Sequence, residues 1–292
     1  MKKIVLILLN IFIAITCFSQ VKSNEAELER LELQLGTIQG VLKTLYHANP
    51  YGGSDDDERL SYAFEQYRDS LQASFYSILK QICSIDTAME YEFPLLGKYV
   101  DVVKSLDNKV RIFSRDTYTG GTAPVLCSYI QYVSGDSTKI EYMPIMGPDS
   151  KYDPEDMGLY YDKIYTFPYK GETYYLAAGY TKLSTASVCS DLRALSISND
   201  YIKNKPIFKT GNNTTDYLRI RYYKDNCNYA EGMYLSSYPY PRIIFDETEK
   251  IVLKPDKSLD DESILEETQG KVITYKWENG LFVEYPAKEG KK

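Results

Sequence analysis

The spacing of hydrophobic residues divides the chain into two helical segments and a long β-rich part. Between residues 24 and 46, large apolar side chains recur in alternating steps of three and four, which predicts a helix with one buried stripe: Leu28, Leu31, Leu35, Ile38, Leu42 and Leu45. An acidic helix start at 54–58 leads into a second stripe, formed by Leu60, Phe64, Tyr67, Leu71, Phe75, Ile78 and Ile82. From Tyr91 onwards apolar and polar residues alternate, so strands are expected.

The leucine stripe of the first helix has two interpretations. The first is a helix that packs on the body of its own domain. The second is a coiled coil through which two copies of the chain associate. Because the stripe is shorter than the three to four heptads that indicate a coiled coil, we favour the first interpretation and keep self-association as the alternative.

Four β-hairpins are predicted in the β-rich part, with turns at Asp107-Asn108, Lys170-Gly171, Glu247-Thr248 and Asn279-Gly280. A shift of about 62 residues overlays the first hairpin on the second and Cys127-Ser128 on Cys189-Ser190, which indicates a weak internal repeat. We therefore predict a mainly β fold with N-terminal helices, in which about four small antiparallel sheets form a propeller-like array. The alternative is an irregular β-sandwich.

The first nineteen residues predict export. Lys2 and Lys3 precede a short apolar run at 4–15, and a segment of small residues follows it. We expect a signal peptide at 1–19, a helical segment at 20–90 and an antiparallel β domain at 91–292, with no transmembrane span in the mature chain. The expected location is the periplasm or the medium. Lipidation of Cys17, which would anchor the protein, is the alternative.

Four cysteines remain after the signal segment, namely Cys83, Cys127, Cys189 and Cys227. Because disulfides persist outside the cytoplasm, two bridges are expected, and we favour the pairs Cys189 with Cys227 and Cys83 with Cys127. Four buried thiols are the alternative.

Charge and composition exclude several kinds of chemistry. The net charge is −7 without a long basic run, so nucleic acid is not an expected partner. The single histidine, His47, lies in the last turn of the first predicted helix, where it suits the helix dipole, and one histidine does not support a multi-histidine metal site. A solvated turn explains Asp153, Glu155 and Asp156 better than a calcium site does. We predict neither a metal nor another cofactor.

The candidate binding residues lie between positions 111 and 121. On an extended strand Arg111, Phe113 and Arg115 share one face, and Gly120 and Gly121 could offer backbone amides to an anion. In the alternative, the arginines pair with acidic neighbours in a surface hairpin, and the glycines only allow a turn.

The sequence around these residues resembles a group of uncharacterised exported proteins, most of them from Bacteroidota. The resemblance rests on SLDNKVRIFS at 105–114, DTYTGGT at 116–122 and Gln131-Tyr132, with a weaker similarity at 174–176 and 275–282. The group often has Trp where this chain has Arg115. The resemblance implies a shared fold and supplies no activity.

These observations favour an exported, non-enzymatic protein that binds another protein or a glycan. The 29 tyrosines suit strand packing, and a dedicated aromatic ligand platform is the alternative explanation for them. A hydrolase that uses two carboxylates on an envelope or dietary polymer is the second hypothesis. The third is a structural element of an envelope assembly that docks through the leucine stripe.

Overall fold

The computed structural model describes residues 2–48, 58–119, 124–143, 158–182, 187–223, 243–255 and 272–285. Within these ranges the chain is mainly β, with two helices at its start, as predicted. It divides into two compact units, Met1–Tyr99 with Asp136–Ile140, and Val100–Gly135 with Glu141–Lys292. Neither of the described helices contains a stretch that is both long and apolar enough to cross a membrane.

Helix α1 spans Lys2–Ala48 and helix α2 spans Glu58–Cys83. Helix α1 runs without a break through the predicted signal segment and the leucine stripe. His47 lies in its last turn, as predicted, and its ring makes an edge contact with Tyr46 at 5.5 Å. The predicted helix start at 54–57 lies outside the described residues.

The leucine stripe is buried within its own chain. Leu28, Leu31, Leu35 and Leu42 are each 1% exposed or less, because α1 packs along α2, whose buried side chains include Phe75, Ile78, Leu79 and Ile82. Ile38 and Leu45 are half-buried. Self-association through an exposed stripe was therefore the wrong alternative, and the hypothesis of an assembly element that docks through it loses its docking surface.

A buried carboxylate fixes the segment that follows α2. Glu32 of α1 accepts hydrogen bonds from the Tyr91 hydroxyl at 2.7 Å and from the backbone N–H groups of Leu95 and Leu96 at 2.5 and 2.9 Å. Burial, followed by the hydrogen bond to Glu32, raises the pKa of Tyr91 well above its usual range. This charge is fully engaged by donors, so its role is structural.

The first and second sheets are antiparallel meanders. The first has the order β1-β2-β3-β4, with strands Asp101–Lys104, Val110–Asp116, Leu126–Ser134 and Ser137–Met143. The second contains β5 to β8 and adds β11 beside β7, with strands Tyr160–Tyr169, Glu172–Lys182, Ser187–Ser198, Tyr201–Asn204 and Tyr217–Tyr223. The predicted repeat thus corresponds to two successive meanders, with Cys127 on β3 and Cys189 on β7.

The third sheet has the order β10-β9-β15-β14-β13-β12. Its six strands are β9 (Phe208–Thr210), β10 (Asn213–Thr215), β12 (Ile244–Asp246), β13 (Ile251–Pro255), β14 (Val272–Glu278) and β15 (Leu281–Tyr285). A parallel pair, in which Phe282 lies opposite Phe208, joins β15 to β9. Antiparallel pairing of β13 with β14 places the last two predicted hairpins in this one sheet. The described strands thus form three sheets instead of about four.

All four predicted hairpins are present, and two have the expected turn geometry. Lys170 and Gly171 have φ of 49° and 82°, and Asn279 and Gly280 have φ of 51° and 95°. Two successive positive φ angles define the type I′ turn, whose twist matches that of a β-hairpin. Glycine at the second position adopts this conformation without the strain of a side chain.

The three sheets supply two hydrophobic cores. Strand β6 alternates between them: Tyr174 and Leu176 enter the core shared with the third sheet, and Tyr175 and Ala177 enter the core shared with the first sheet. Both faces of the second sheet are therefore buried, which is compatible with an irregular sandwich. The described sheets are open, and the predicted propeller-like array is not shown.

Candidate functional site

Four turns of the two meanders meet at one end of the first and second sheets. They join β1 to β2, β3 to β4, β5 to β6 and β7 to β8. Several of their residues have positive φ, as tight turns require: Asn108, Gly135, Lys170, Gly171, Asn199 and Asp200. We call this side the turn end and the opposite side, where β1 and β5 begin, the open end.

Two side-chain hydrogen bonds each join a strand residue of one meander to a turn residue of the other. The hydroxyl of Tyr175 on β6 donates to Asp107 Oδ2 at 2.9 Å, and the hydroxyl of Ser134 at the end of β3 donates to Asp200 Oδ1 at 2.9 Å. Asp107 Oδ1 also accepts from the Ser105 hydroxyl at 2.7 Å and from the Lys109 backbone N–H at 3.2 Å. Tyr175 of the second sheet therefore holds the β1-β2 turn, and Ser134 of the first sheet holds the β7-β8 turn.

Between these turns lies a cleft of about 360 Å³, which we call the turn-end cleft. Residues at or beside each of the four turns line it. Lys109 comes from the β1-β2 turn, 133–135 from β3-β4, 171–173 from β5-β6, and Ile197 and Ser198 from the end of β7; Tyr175 of β6 completes the lining. The lining is mostly polar, so the cleft can offer hydrogen-bond donors and acceptors to a bound molecule.

The carboxylate of the cleft is already paired. Glu172 accepts from Lys205 Nζ at 2.7 and 2.8 Å through its two oxygens, and the Tyr174 hydroxyl donates to it at 3.2 Å. The hydrogen bond from Lys205 is the main reason why the pKa of Glu172 is lowered. Burial and the nearby carboxylate raise the pKa of Tyr174 to about 12. Glu172 thus stays ionised and is unsuited to act as a general acid.

The predicted binding residues of β2 are buried. Arg111, Phe113 and Arg115 share one strand face, as predicted, and are 1%, 0% and 1% exposed. The guanidinium of Arg115 donates to the Tyr129 hydroxyl at 3.3 Å and lies 5.9 Å from the ring centre. That of Arg111 lies 6.0 Å from the Phe113 ring.

These three side chains consequently form no exposed patch. Strand alternation indicates which residues share a face, but it does not show whether a face is covered. Gly120 and Gly121 lie outside the described residues, and so do Asp153, Glu155 and Asp156. A ligand role for the segment stays a prediction.

The cysteine prediction requires a correction. No disulfide bond is present among the described residues, and Cys83, Cys127 and Cys189 carry thiols. Each lies within packed secondary structure: Cys83 ends α2, whereas Cys127 and Cys189 take equivalent places in two different meanders. The favoured bridge from Cys83 to Cys127 is therefore wrong. Cys227 lies outside the described residues, which leaves its own pairing as a prediction.

A buried ionic cluster in the second sheet was not predicted. The Asp191 carboxylate lies 3.0 Å from Arg219 Nε and 3.4 Å from Arg193 Nε, and both guanidinium carbons lie 5.2 Å from the Tyr217 ring centre. Strand pairing explains the cluster, because Arg219 stands opposite Asp191, and Tyr217 stands opposite Arg193. Sequence spacing gives no sign of it.

Carboxyl groups at the open end have a different environment. Burial raises the pKa of Asp116 at the end of β2. Burial, and then the charge of Asp162, raises the pKa of Asp101 at the start of β1. The pKa of Tyr160, at the start of β5, is raised by burial and then by the charges of Asp116 and Asp101. We call Asp101, Asp116 and Asp162 the open-end acids. In the part of the chain that the structure describes, no group of His, Cys, Asp or Glu side chains is arranged to hold a metal ion.

Comparisons with known proteins do not identify the chain. No protein-family model, no curated protein and no solved structure matches it. The turn-end cleft, the open-end acids and the residues around them are therefore the features that bear on function.

The sequence contained a signal for the turn-end cleft that single motifs did not reveal. Each contributing turn has a Gly or Asn at or beside a positive-φ position, and the repeat overlays the two meanders. Turns of successive hairpins in a meander alternate between its two ends, so the repeat places four turns at matching ends. Only the packing of one sheet on the other brings them together.

Proposed function

We propose that the chain is an exported, non-enzymatic binding protein whose ligand, a protein or a glycan, occupies the turn-end cleft. The observation that carries the proposal is a polar cleft of about 360 Å³ that four turns build together. Ligand sites usually measure roughly 300–1,000 Å³, and loops held by a rigid scaffold commonly form them. The hydrogen bonds of Tyr175 and Ser134 supply that rigidity.

Binding is tested with a variant that fills the cleft. Ser198 lines the cleft at the end of β7, so Ser198→Trp places an indole ring inside it. Thr214→Trp, at an exposed position of β10, is the matched control. The immobilised proteins are exposed to protein and glycan fractions of a cell envelope. We expect the bound amount to fall about tenfold or more for Ser198→Trp only. Equal retention by both variants would place binding elsewhere.

Export is supported by the charged start and the apolar run of the first nineteen residues. Cleavage after Ser19 would leave Gln20 as the first residue, which mass spectrometry of the secreted chain measures. If Cys17 is lipidated instead, the chain starts there and stays with the membrane, and Cys17→Ser releases it. Full-length protein in the cytoplasm would contradict both forms of export.

A carboxylate-dependent hydrolase is the second candidate, and the open-end acids favour it. A glycosidase needs one carboxyl group with a raised pKa beside an ionised one. Asp116 and Asp101 have raised pKa values, and Asp162 lies close enough to Asp101 to influence it. The test is the release of reducing ends from envelope and dietary polysaccharides. Activity lost in Asp116→Asn would support hydrolysis, and inactivity of the unaltered chain on all of them would contradict it.

A further inference from the structure

We infer that the ligand of the turn-end cleft is an uncharged, hydroxyl-rich glycan unit. This inference rests on the proposed function of the cleft and decides between its two ligand classes. Three features of the lining carry it: the balance of charge, the engagement of the nearby carboxylates, and the kind of groups that remain for a ligand.

The charges of the lining are balanced. Lys109 and Glu172 are the charged residues among the described side chains that line the cleft. Both oxygens of Glu172 are engaged by Lys205. An anionic ligand would therefore meet a carboxylate as well as an ammonium group, and a cationic one would compete with Lys205. An uncharged ligand avoids both costs.

The carboxylates beside the cleft hold the turns. Asp107 accepts three hydrogen bonds, from the Ser105 hydroxyl, the Lys109 backbone N–H and the Tyr175 hydroxyl. Asp200 accepts one from Ser134. A cationic ligand that recruited either group would break bonds that position the walls. These acids thus shape the cleft and do not select a positive charge.

The groups that remain suit sugar hydroxyls. Thr173 and Ser198 bring hydroxyls that can both donate and accept, and Lys109 brings N–H donors. Val133 and Ile197 add a small apolar surface for the C–H groups of a sugar ring. Protein interfaces depend on aromatic or arginine side chains that fill well-packed, desolvated pockets. A polar cleft that is open to solvent fits a glycan better.

The experiment uses titration calorimetry of the mature chain with defined tetrasaccharides. Neutral hexose oligomers (β-1,3-glucan, β-1,4-glucan and mannan) are compared with anionic oligogalacturonate and cationic chitosan oligomers, each at about 50 mM and about 500 mM salt. The variants are Ser198→Trp, which fills the cleft, and Lys109→Gln, which removes its ammonium group. Thr214→Trp and Lys276→Gln are the matched controls on the third sheet.

We expect a neutral oligomer to bind with a Kd that changes less than about twofold with salt. Ser198→Trp should weaken it tenfold or more and Lys109→Gln less than about threefold. Preferred binding of a charged oligomer, with strong salt dependence and a large effect of Lys109→Gln, would overturn this inference and leave the proposed cleft intact. If none of the oligomers binds but an envelope protein does so through the cleft, the glycan inference fails. If Ser198→Trp and Thr214→Trp bind every ligand equally, the proposed function fails too.

Discussion

The two ends of the first and second sheets shift the pKa values of carboxyl groups in opposite directions: that of Glu172 is lowered, and those of Asp101 and Asp116 are raised. At the turn end, Lys205 holds Glu172 ionised, and hydroxyl and N–H donors surround Asp107. At the open end, burial raises the pKa values of Asp101 and Asp116. The same pair of meanders thus stabilises the anion of Glu172 at one end and destabilises the anions of Asp101 and Asp116 at the other.

This difference separates two kinds of function. Acids that are held by hydrogen bonds give a rigid polar wall, which suits recognition without chemistry. Acids whose pKa is raised by burial hold a proton more readily than ordinary carboxyl groups do, which suits a catalytic acid. A cleft is present at the turn end, and its carboxylate has a lowered pKa. We therefore place binding at the turn end and treat hydrolysis at the open end as the second candidate.

The largest effect is expected from Gly158→Ala near the open end. A Cβ at Gly158 would stand 2.5 Å from the carbonyl oxygen of Leu126 and 2.8 Å from its carbon. Because both atoms are backbone, the segment before β5 must move away from β3. We expect urea denaturation to show a loss of about 2–3 kcal/mol in the free energy of unfolding.

Gly40→Ala is the matched control for that substitution. Apart from the backbone of α1 itself, nothing lies within 4 Å of a Cβ at Gly40, so alanine should raise stability by roughly 0.5–1 kcal/mol. A neutral effect of Gly158→Ala would contradict the close approach of the two segments at the open end.

A smaller effect is expected from Tyr175→Phe at the turn end. This change removes the hydroxyl that donates to Asp107 and leaves the buried ring in place. We expect a loss of about 1–2 kcal/mol in the free energy of unfolding and weaker ligand binding, because the turn loses a hydrogen bond to a charged group. Tyr62→Phe, at an exposed site of α2, should change stability by less than about 0.5 kcal/mol. Equal effects of the two would mean that the bridge does not hold the turn.

Lys205→Met is expected to cost about 0.5–1 kcal/mol at neutral pH, because the pair with Glu172 is partly exposed. The folded pKa of Glu172 is lowered, so its contribution is present above the ordinary carboxyl pKa and is lost as pH falls through the folded value. Thermal unfolding across an acid-to-neutral series should show the difference between variant and unaltered chain shrinking in acid. A constant difference would indicate lost packing instead of lost charge.

Asp116→Asn should give the smallest effect, with the opposite sign. The folded pKa of Asp116 is raised, so the folded chain loses stability as pH rises from the ordinary carboxyl value through the folded one. Asparagine can keep the hydrogen bond from the Tyr118 N–H and carries no charge. We expect Tm to rise by about 1–2 °C above that window and to be unchanged below it. A lower Tm at neutral pH would show that the charge of Asp116 stabilises the open end.

Local signals allowed much of the β fold to be predicted. The hairpins predicted at Lys170-Gly171 and Asn279-Gly280 are found as the pairs β5-β6 and β14-β15, because alternation and glycine turns depend only on neighbouring residues. The same reasoning placed Arg111, Phe113 and Arg115 on one face. Their burial was not predictable, since it depends on what packs against the face.

Contacts between distant segments explain the other differences. The antiparallel pair of β13 and β14 joins two predicted hairpins in one sheet. No local pattern indicates this pairing, or that Phe208 of β9 meets Phe282 of β15. The turn-end cleft needs four turns that the sequence separates, and one sheet must pack on another to bring them together. The expected compartment suggested disulfide bonds, but Cys83, Cys127 and Cys189 carry thiols, because a bond depends on which distant segments meet.

Hydrogen exchange of the backbone amides, measured with and without the retained envelope ligand, is the most direct test of the turn-end cleft. We expect slower exchange at the four turns, around Lys109, Gly135, Gly171 and Ser198, and no change around Asp101, Asp116 and Tyr160. Protection concentrated at those open-end residues, or none at the turns, would contradict the assignment of the ligand to the cleft.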